Sequence, residues 1–233
     1  MPQKYQRALI VGAGPGLGAA LARTFKGAGL AVGLAARDAE KLAPLAAELG
    51  AATHSCDAEQ PGEVDALFTA MEAALGGAPD VVVYNASARI RGPLIELNRT
   101  MVGKAMAITA YGGFLVAQAA AQRMLPNGRG AIFFTGASAS VKGYANSAPF
   151  AMGKFALRGL AQSIARELQP QGIHVAHFVI DGAISSPDRA EDAEHPDSRL
   201  DPAAIARTYL DVLMQDRSAW STEVELRPWL ERF

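Results

Sequence analysis

The chain has 233 residues, half of them hydrophobic and 19% charged, with a formal net charge of −1. That composition excludes a disordered chain, fits one α/β domain with a sizeable core, and supplies no basic field for nucleic acid or acidic membranes. No secretory signal stands out, and no segment reads as the roughly 20 apolar residues of a membrane span, so a cytoplasmic protein without membrane or nucleic-acid partners is expected.

Arg7–Val11 is a short apolar run of the kind a buried parallel strand shows, and Gly16–Gly27 follows as a helix. Ala31–Ala36 predicts a second strand, Ala39–Leu49 a second helix and Ala51–Ser55 a third strand. Pro61–Leu75 predicts a helix opened by proline, and Val81–Asn85 a fourth strand. One long helix is predicted over roughly 100–124. Its stretch Ala105–Ala121 is apolar but carries Thr109, Tyr111 and Gln118, so it reads as a buried or interface helix. Gly130–Gly136 predicts the fifth strand, Ser147–Leu168 a long helix and His174–Ile180 the sixth strand. Residues 185–201 are polar and rich in proline and acid, which predicts a loop or substrate lid whose acids face water. Asp201-Pro202 caps a last helix reaching about Gln215, and Thr222–Arg227 predicts a final strand. Strand–helix units joined by short loops predict a single domain, a doubly wound parallel sheet of about seven strands with helices on both faces.

The first strand–helix junction reads Val11-Gly12-Ala13-Gly14-Pro15-Gly16-Leu17-Gly18. Glycines at such a turn let the backbone approach a diphosphate, and a helix mouth adds bare N–H groups and a favourable dipole. Dinucleotide binding on a Rossmann-type sheet follows, with Gly12, Gly16 and Gly18 exposing the amides. The second strand ends Ala36-Arg37-Asp38. A guanidinium without an acid before it suits a 2′-phosphate, so NADP(H) is expected over NAD(H), with Asp38 left to cap the next helix. Cys56 is the one cysteine and reads as a buried thiol. His174 and His177 flank an apolar strand with no carboxylate cluster nearby in sequence, so no metal site is expected.

The spacing Gly12-x-x-x-Gly16-x-Gly18 resembles that of the short-chain dehydrogenase/reductase family, and the resemblance runs along nearly the whole chain. Asp57-Ala58 looks like that family's adenine-contacting pair. Tyr84-Asn85-Ala86-Ser87 looks like its Asn-Asn-Ala-Gly, residues 163–175 like its long helix and sixth-strand entry, and Asp181-Gly182-Ala183-Ile184 like its Pro-Gly-x-Ile. The resemblance implies a cofactor set of Gly12, Gly14, Gly16, Leu17, Gly18, Arg37, Asp57, Ala58, Asn85, Ala86, Lys154 and Ile184, with Ile184 beside the nicotinamide carboxamide. It also implies hydride transfer between the nicotinamide and a carbonyl or alcohol carbon, assisted by a tyrosine, a lysine, a serine and an asparagine. The Tyr-x-x-x-Lys pattern here is Phe150-Ala151-Met152-Gly153-Lys154, the serine position falls on Ala137, and the asparagine position on Thr109. Lys154 is kept and the phenol is gone.

Three readings remain open. Neighbouring hydroxyls take over, with Ser138 and Tyr144 as the candidates and Ser140 and Ser147 close by. The substrate is a conjugated C=C bond. Or the chain binds NADP(H) with little catalysis, as a sensor or assembly subunit. The substrate pocket, placed between the strand ends, residues 138–147 and the lid, reads as largely apolar with Phe150 and Met152 in it. The apolar faces of the two long helices imply a homodimer or homotetramer. Trp220, Leu226, Trp229, Leu230 and Phe233 imply a tail docked on its own or a neighbouring subunit.

Overall fold

The computed structural model describes residues 5–186 and 197–230. Seven parallel strands form one sheet: β1 (Arg7–Val11), β2 (Ala31–Ala36), β3 (Ala52–Ser55), β4 (Val81–Tyr84), β5 (Gly130–Thr135), β6 (Ile173–Ile180) and β7 (Glu223–Leu226). Their spatial order is β3-β2-β1-β4-β5-β6-β7. The connecting helices are α1 (Leu17–Gly27), α2 (Ala43–Leu49), α3 (Pro61–Leu75), α4 (Arg99–Met106), α5 (Gly112–Met124), α6 (Ala148–Leu168) and α7 (Pro202–Leu213).

Side chains alternate across each strand and make two core layers. Ile10, Leu34, Val83, Phe133 and Phe178 pack under α1 and α7 with Leu21, Phe25 and Tyr209. Leu9, Val11, Val82, Tyr84 and Phe134 pack under α3, α5 and α6 with Phe68, Val116 and Leu157. Burial on both faces is why β1, β2, β4 and β5 read as apolar runs, whereas the edge strands β3 and β7 alternate. Chain order reverses between β1 and β4, so the loops leaving their C-terminal ends diverge and open a crevice.

The single long helix expected over 100–124 is instead α4 and α5 joined by a π-helical turn, Ala107–Tyr111. The whole helical run 99–127 is, by length and composition, apolar enough to cross a membrane, which the sequence reading missed. In the fold it lies against the sheet, with Val116, Ala119 and Ala120 buried. The tyrosine hydroxyl of Tyr84 donates to the Ile108 carbonyl inside the π turn. Asp201 caps α7 through the amides of Ala203 and Ala204 (2.9 and 3.2 Å). Most of the expected lid, residues 187–196, lies outside the described residues, as does Phe233 of the tail. Trp220 stacks on His174 of β6 at 4.5 Å, so this part of the tail docks on its own domain, whereas Trp229 is exposed.

Candidate functional site

The crevice above β1 is built by close backbone approach. Gly12 has φ +86°, and a Cβ there would meet the Ala86 amide nitrogen at 2.4 Å. The Asn85 amide donates to the Val11 carbonyl (2.8 Å), and the Asn85 side chain donates to the Gly12 carbonyl (2.9 Å), locking the two loops together. A Cβ on Gly18 would lie 2.9 Å from the Ala13 Cα, so this glycine lets the helix start pack on the loop. Gly14 and Gly16 differ: nothing lies within 4 Å of where their Cβ atoms would be. Their missing side chains leave open space at the mouth of α1.

No side chain caps α1 at Gly16. Its first-turn N–H groups therefore need a partner from outside the helix. One expectation needs correcting here. The amide of Gly12 is not bare, because Gly12 and Ala13 both donate to the Ala35 carbonyl at 2.9 Å. The Ala19 amide is taken as well, by the Gly14 carbonyl at 2.9 Å, which leaves the amides of Leu17 and Gly18 as the first-turn groups at the mouth.

The cleft at this mouth has a volume of about 590 Å³ and is walled by Gly12, Gly14, Arg37, Asp57, Ala58, Asn85 and Ala86 among others. Arg37 sits exposed on its rim, with its backbone fixed by a bond from the Ser55 hydroxyl to its carbonyl (2.7 Å). Asp38 is drawn aside to Lys41 at 3.0 Å, and that ammonium holds the Asp38 carboxyl below its usual range. Lys41 also lines the cleft, which the sequence reading overlooked although its i,i+3 spacing from Asp38 was visible. The rim thus carries two cations beside an acid already paired. An uncapped helix mouth and side-chain-free space at Gly14 and Gly16 fit a dinucleotide diphosphate, and Arg37 and Lys41 stand at the rim beside it.

A second cavity of about 750 Å³ shares Asn85 and Ser87 with the first. Leu17, Lys154 and Ile184 line it. Lys154 is 2% exposed and donates to the Thr135 carbonyl at 2.7 Å. Burial pulls its pKa down to about 8. The Phe150 ring, one turn earlier on α6, is flanked by the Arg89 guanidinium at 5.1 Å and the Lys154 ammonium at 5.9 Å. Ala137, Ser138 and Tyr144 also stand on this wall.

Ser140 and Ser147 are buried elsewhere. The Ser140 hydroxyl accepts from the Ala137 amide (3.1 Å) and lies 3.3 Å from His177 Nε2. Thr109 is buried too, and its hydroxyl accepts from the Ala88 amide at 3.1 Å, anchoring the loop after β4 to the π turn.

The structure corrects one further expectation. The pocket is not largely apolar: Arg89 and Arg91 line it, while Met152 is half exposed on the outside of α6. Two residues along a helix turn a side chain by about 200°, so Met152 cannot share a wall with Phe150, whereas Lys154 can. His174 and His177 are buried in β6, and β7, far on in sequence, brings the Glu223 carboxylate to 3.4 Å from His177 Nδ1. Desolvation nonetheless holds His177 down to about 4. Among the described residues no cluster of three potential metal ligands forms.

Comparison with known proteins gives these findings. The family model described as short chain dehydrogenase matches residues 6–196. The D-threitol dehydrogenase of Mycolicibacterium smegmatis is 31% identical over 173 residues, covering 72% of this chain and 66% of that one, so the matched part is just under two thirds of the relative's length. A short-chain dehydrogenase structure from Rhodopseudomonas palustris aligns with a TM-score of 0.84 and 36% identity over 97% of this chain and 100% of that one. A metagenomic short-chain oxidoreductase solved in complex with NADP aligns with a TM-score of 0.82 and 28% identity, over 97% and 98% of the two chains.

Proposed function

The chain belongs to the short-chain dehydrogenase family, and from that premise we propose that it is an NADP(H)-dependent oxidoreductase. Its substrate on this reading is a small carbonyl or alcohol compound, or a conjugated C=C bond. One observation carries the reading: the cationic-rimmed cleft at an uncapped helix start adjoins, at Asn85 and Ser87, a second cavity that holds a buried lysine.

Each residue has a role in this reading. The first turn of α1 beside Gly14 and Gly16 holds the diphosphate. Arg37, with Lys41 close by, holds the 2′-phosphate, Asp57 and Ala58 border the adenine, and Asn85 and Ala86 fix the floor. Lys154 holds the nicotinamide ribose hydroxyls, and Ile184 meets the carboxamide. When bound, NADP(H) supplies or accepts the hydride, and a proton must move through the protein or water to balance it. Phe150 cannot handle that proton, and general acid–base help is worth about 10²–10⁴ in rate. The hydroxyls on the cavity wall are those of Ser138 and Tyr144. Ser138 holds the substrate oxygen, and Tyr144 passes the proton. A second copy of the chain covers the exposed Tyr111, Phe114, Met152 and Phe155 of α5, α6 and the π turn, giving a homodimer or homotetramer.

Fluorescence titration and a turnover panel test the proposal. NADPH should bind at least about 10-fold tighter than NADH, and Arg37→Ala should remove most of that preference, the magnitude of one charge-assisted contact. Tighter binding of NADH would refute the NADP(H) assignment. Oxidation of NADPH by at least one carbonyl or enone is expected; tight binding with no turnover across a broad panel would refute the activity.

A further inference from the structure

Behind the wall of the second cavity the fold puts a serine, a histidine and a glutamate in one line. Ser140 and His177 are 0% and 1% exposed. The Ser140 hydroxyl accepts from the Ala137 amide at 3.1 Å and lies 3.3 Å from His177 Nε2. A Cβ on Gly136 would stand 2.4 Å from that same nitrogen, so the imidazole reaches the loop only because position 136 is glycine. On the other side of the ring the Glu223 carboxylate lies 3.4 Å from Nδ1. Arg158 holds both Glu223 oxygens, at 2.6 and 2.7 Å, and keeps that carboxyl below its ordinary range. A serine, a histidine and an acid in this order also make up acyl-transfer triads. Ser140 has no exposed surface and meets no substrate, so its work here is positional.

The direction of each bond follows from counting donors. The charged groups that act on the imidazole are Glu223 of β7 and Lys154 and Arg158 of α6. Desolvation, helped by the two cations, outweighs Glu223 and holds His177 down to about 4, so near pH 7 the ring is neutral and carries one proton. An ionised carboxylate only accepts, so that proton sits on Nδ1, toward Glu223. Nε2 is then bare, and the Ser140 hydroxyl donates to it. With its hydrogen given to His177, the same oxygen turns a lone pair to the Ala137 amide. The donors run in one direction, from Ala137 through Ser140 and His177 to Glu223.

What this line steadies is the loop on the cavity wall, where Ala137 and Ser138 stand. The Ser138 carbonyl accepts from the Val141 and Lys142 amides at 3.0 Å each, and the Ala137 carbonyl from the Ser140 amide at 2.7 Å. Those bonds close the turn Ser138–Ser140 from its far side. The Ser140 hydroxyl closes it from the near side, at the amide just before Ser138. We infer that His177, backed by Glu223, is a positioning residue that fixes Ser138 on the cavity wall through Ser140 and Ala137. Its role in turnover rests on the oxidoreductase reading above; the direction of the bonds does not. The Ala137 amide is spent on Ser140, so at this turn the Ser138 hydroxyl is left to meet the substrate oxygen.

Two measurements test the inference, the first without turnover. Long-range proton–nitrogen NMR correlation on the isotope-labelled full chain at pH 7 should show His177 protonated on Nδ1 and bare on Nε2, with the Nε2 signal moving in S140A. A proton on Nε2, or an imidazolium, would overturn the directed line. The second is a double-mutant cycle read in kcat. S138A should lose about 100-fold, the worth of one donor to a substrate oxygen. S140A should lose about 10-fold. S138A/S140A should stay within about threefold of S138A, because Ser140 acts only through Ser138. NADPH affinity should hold in all three as the check on folding. Losses that multiply, or an S140A as active as the wild type, would overturn the positioning role. H177Q, whose amide oxygen accepts from Ser140, should keep more turnover than H177L, and the reverse order would also overturn it. A wild type that binds NADPH and turns over nothing would remove the oxidoreductase reading and the positioning role with it, while the NMR result would still decide the direction of the bonds.

Discussion

Replacing Gly12 by alanine should damage the fold itself, and the cost can be worked from the backbone. At φ +86°, left-handed backbone costs a residue with a Cβ about 1–2 kcal/mol. The new methyl would stand 2.4, 2.6 and 2.8 Å from the amide nitrogen, Cα and Cβ of Ala86, none of them at the end of a flexible side chain. Relief requires the Asn85–Ala86 backbone to retreat, and that stretch is tied to Val11 and Gly12 by two hydrogen bonds. Overpacking of this kind costs about 1–3 kcal/mol. The sum is about 2–5 kcal/mol, and at about 2–4 °C per kcal/mol for a chain of this length the Tm should fall by roughly 4–20 °C. Gly14→Ala is the matched control. Its methyl meets nothing within 4 Å, so its Tm should stay within about 2 °C of the wild type. On the proposed binding mode that methyl enters the diphosphate space, so dinucleotide affinity should fall at least about 10-fold, the loss of one charge-assisted contact. Thermal unfolding by circular dichroism without nucleotide separates the two variants. A Gly12→Ala protein melting with the wild type would refute the close approach on which the cleft depends.

Three more outcomes are expected. The folded chain holds Lys154 near 8, below the ordinary lysine value of 10.5, so the unfolded chain binds more protons between those values and stability rises with pH across that window. Lys154→Met should therefore melt above the wild type at pH 7, with the gap closing from pH 8 to 10.5; a gap that ignores pH would refute desolvation of the ammonium. Tyr84→Phe leaves the Ile108 carbonyl without its hydroxyl partner, which should cost about 1–3 kcal/mol, read as a lower Tm and faster amide exchange over residues 107–111. The Cys56 thiol, 3% exposed and pushed by burial up to about 12, should ignore a disulfide reagent at pH 8 until guanidinium unfolds the chain; rapid labelling of native protein would refute its placement.

The inner sheet could be read from the chain because a strand buried on both faces is apolar at most positions, as in Val81–Tyr84 and residues 130–134. The cradle was visible for a related reason: a turn that packs Gly12 on Ala86 and Gly18 on Ala13 tolerates no side chain, so its demand is written locally. Features set by contacts between distant residues were not visible. The π turn meets the hydroxyl of Tyr84, 24 positions before Ile108, and nothing within residues 107–111 announces that contact. Arg89 and Arg91 read as loop residues until the bond from Gly92 to Asn146, more than fifty positions on, brings their segment to the cavity. Met152 stands beside Phe150 in sequence but not in space, because two residues along α6 turn its side chain to the exposed face. His177 looks isolated from carboxylates in the sequence because Glu223 reaches it only through the β6–β7 pairing.

The π turn sets an unusual rule for chain length. Such a turn takes in one surplus residue while leaving the helices on either side nearly in line. Deleting a single residue between Ala107 and Tyr111 would therefore let a plain α-helix run through with both of its ends still seated. What would vanish is local: a carbonyl swung out of the helical ladder to meet Tyr84, and a threonine presented to the amide before Arg89. The extra residue is a spacer that turns a structural rod into a bracket for the loop beside it.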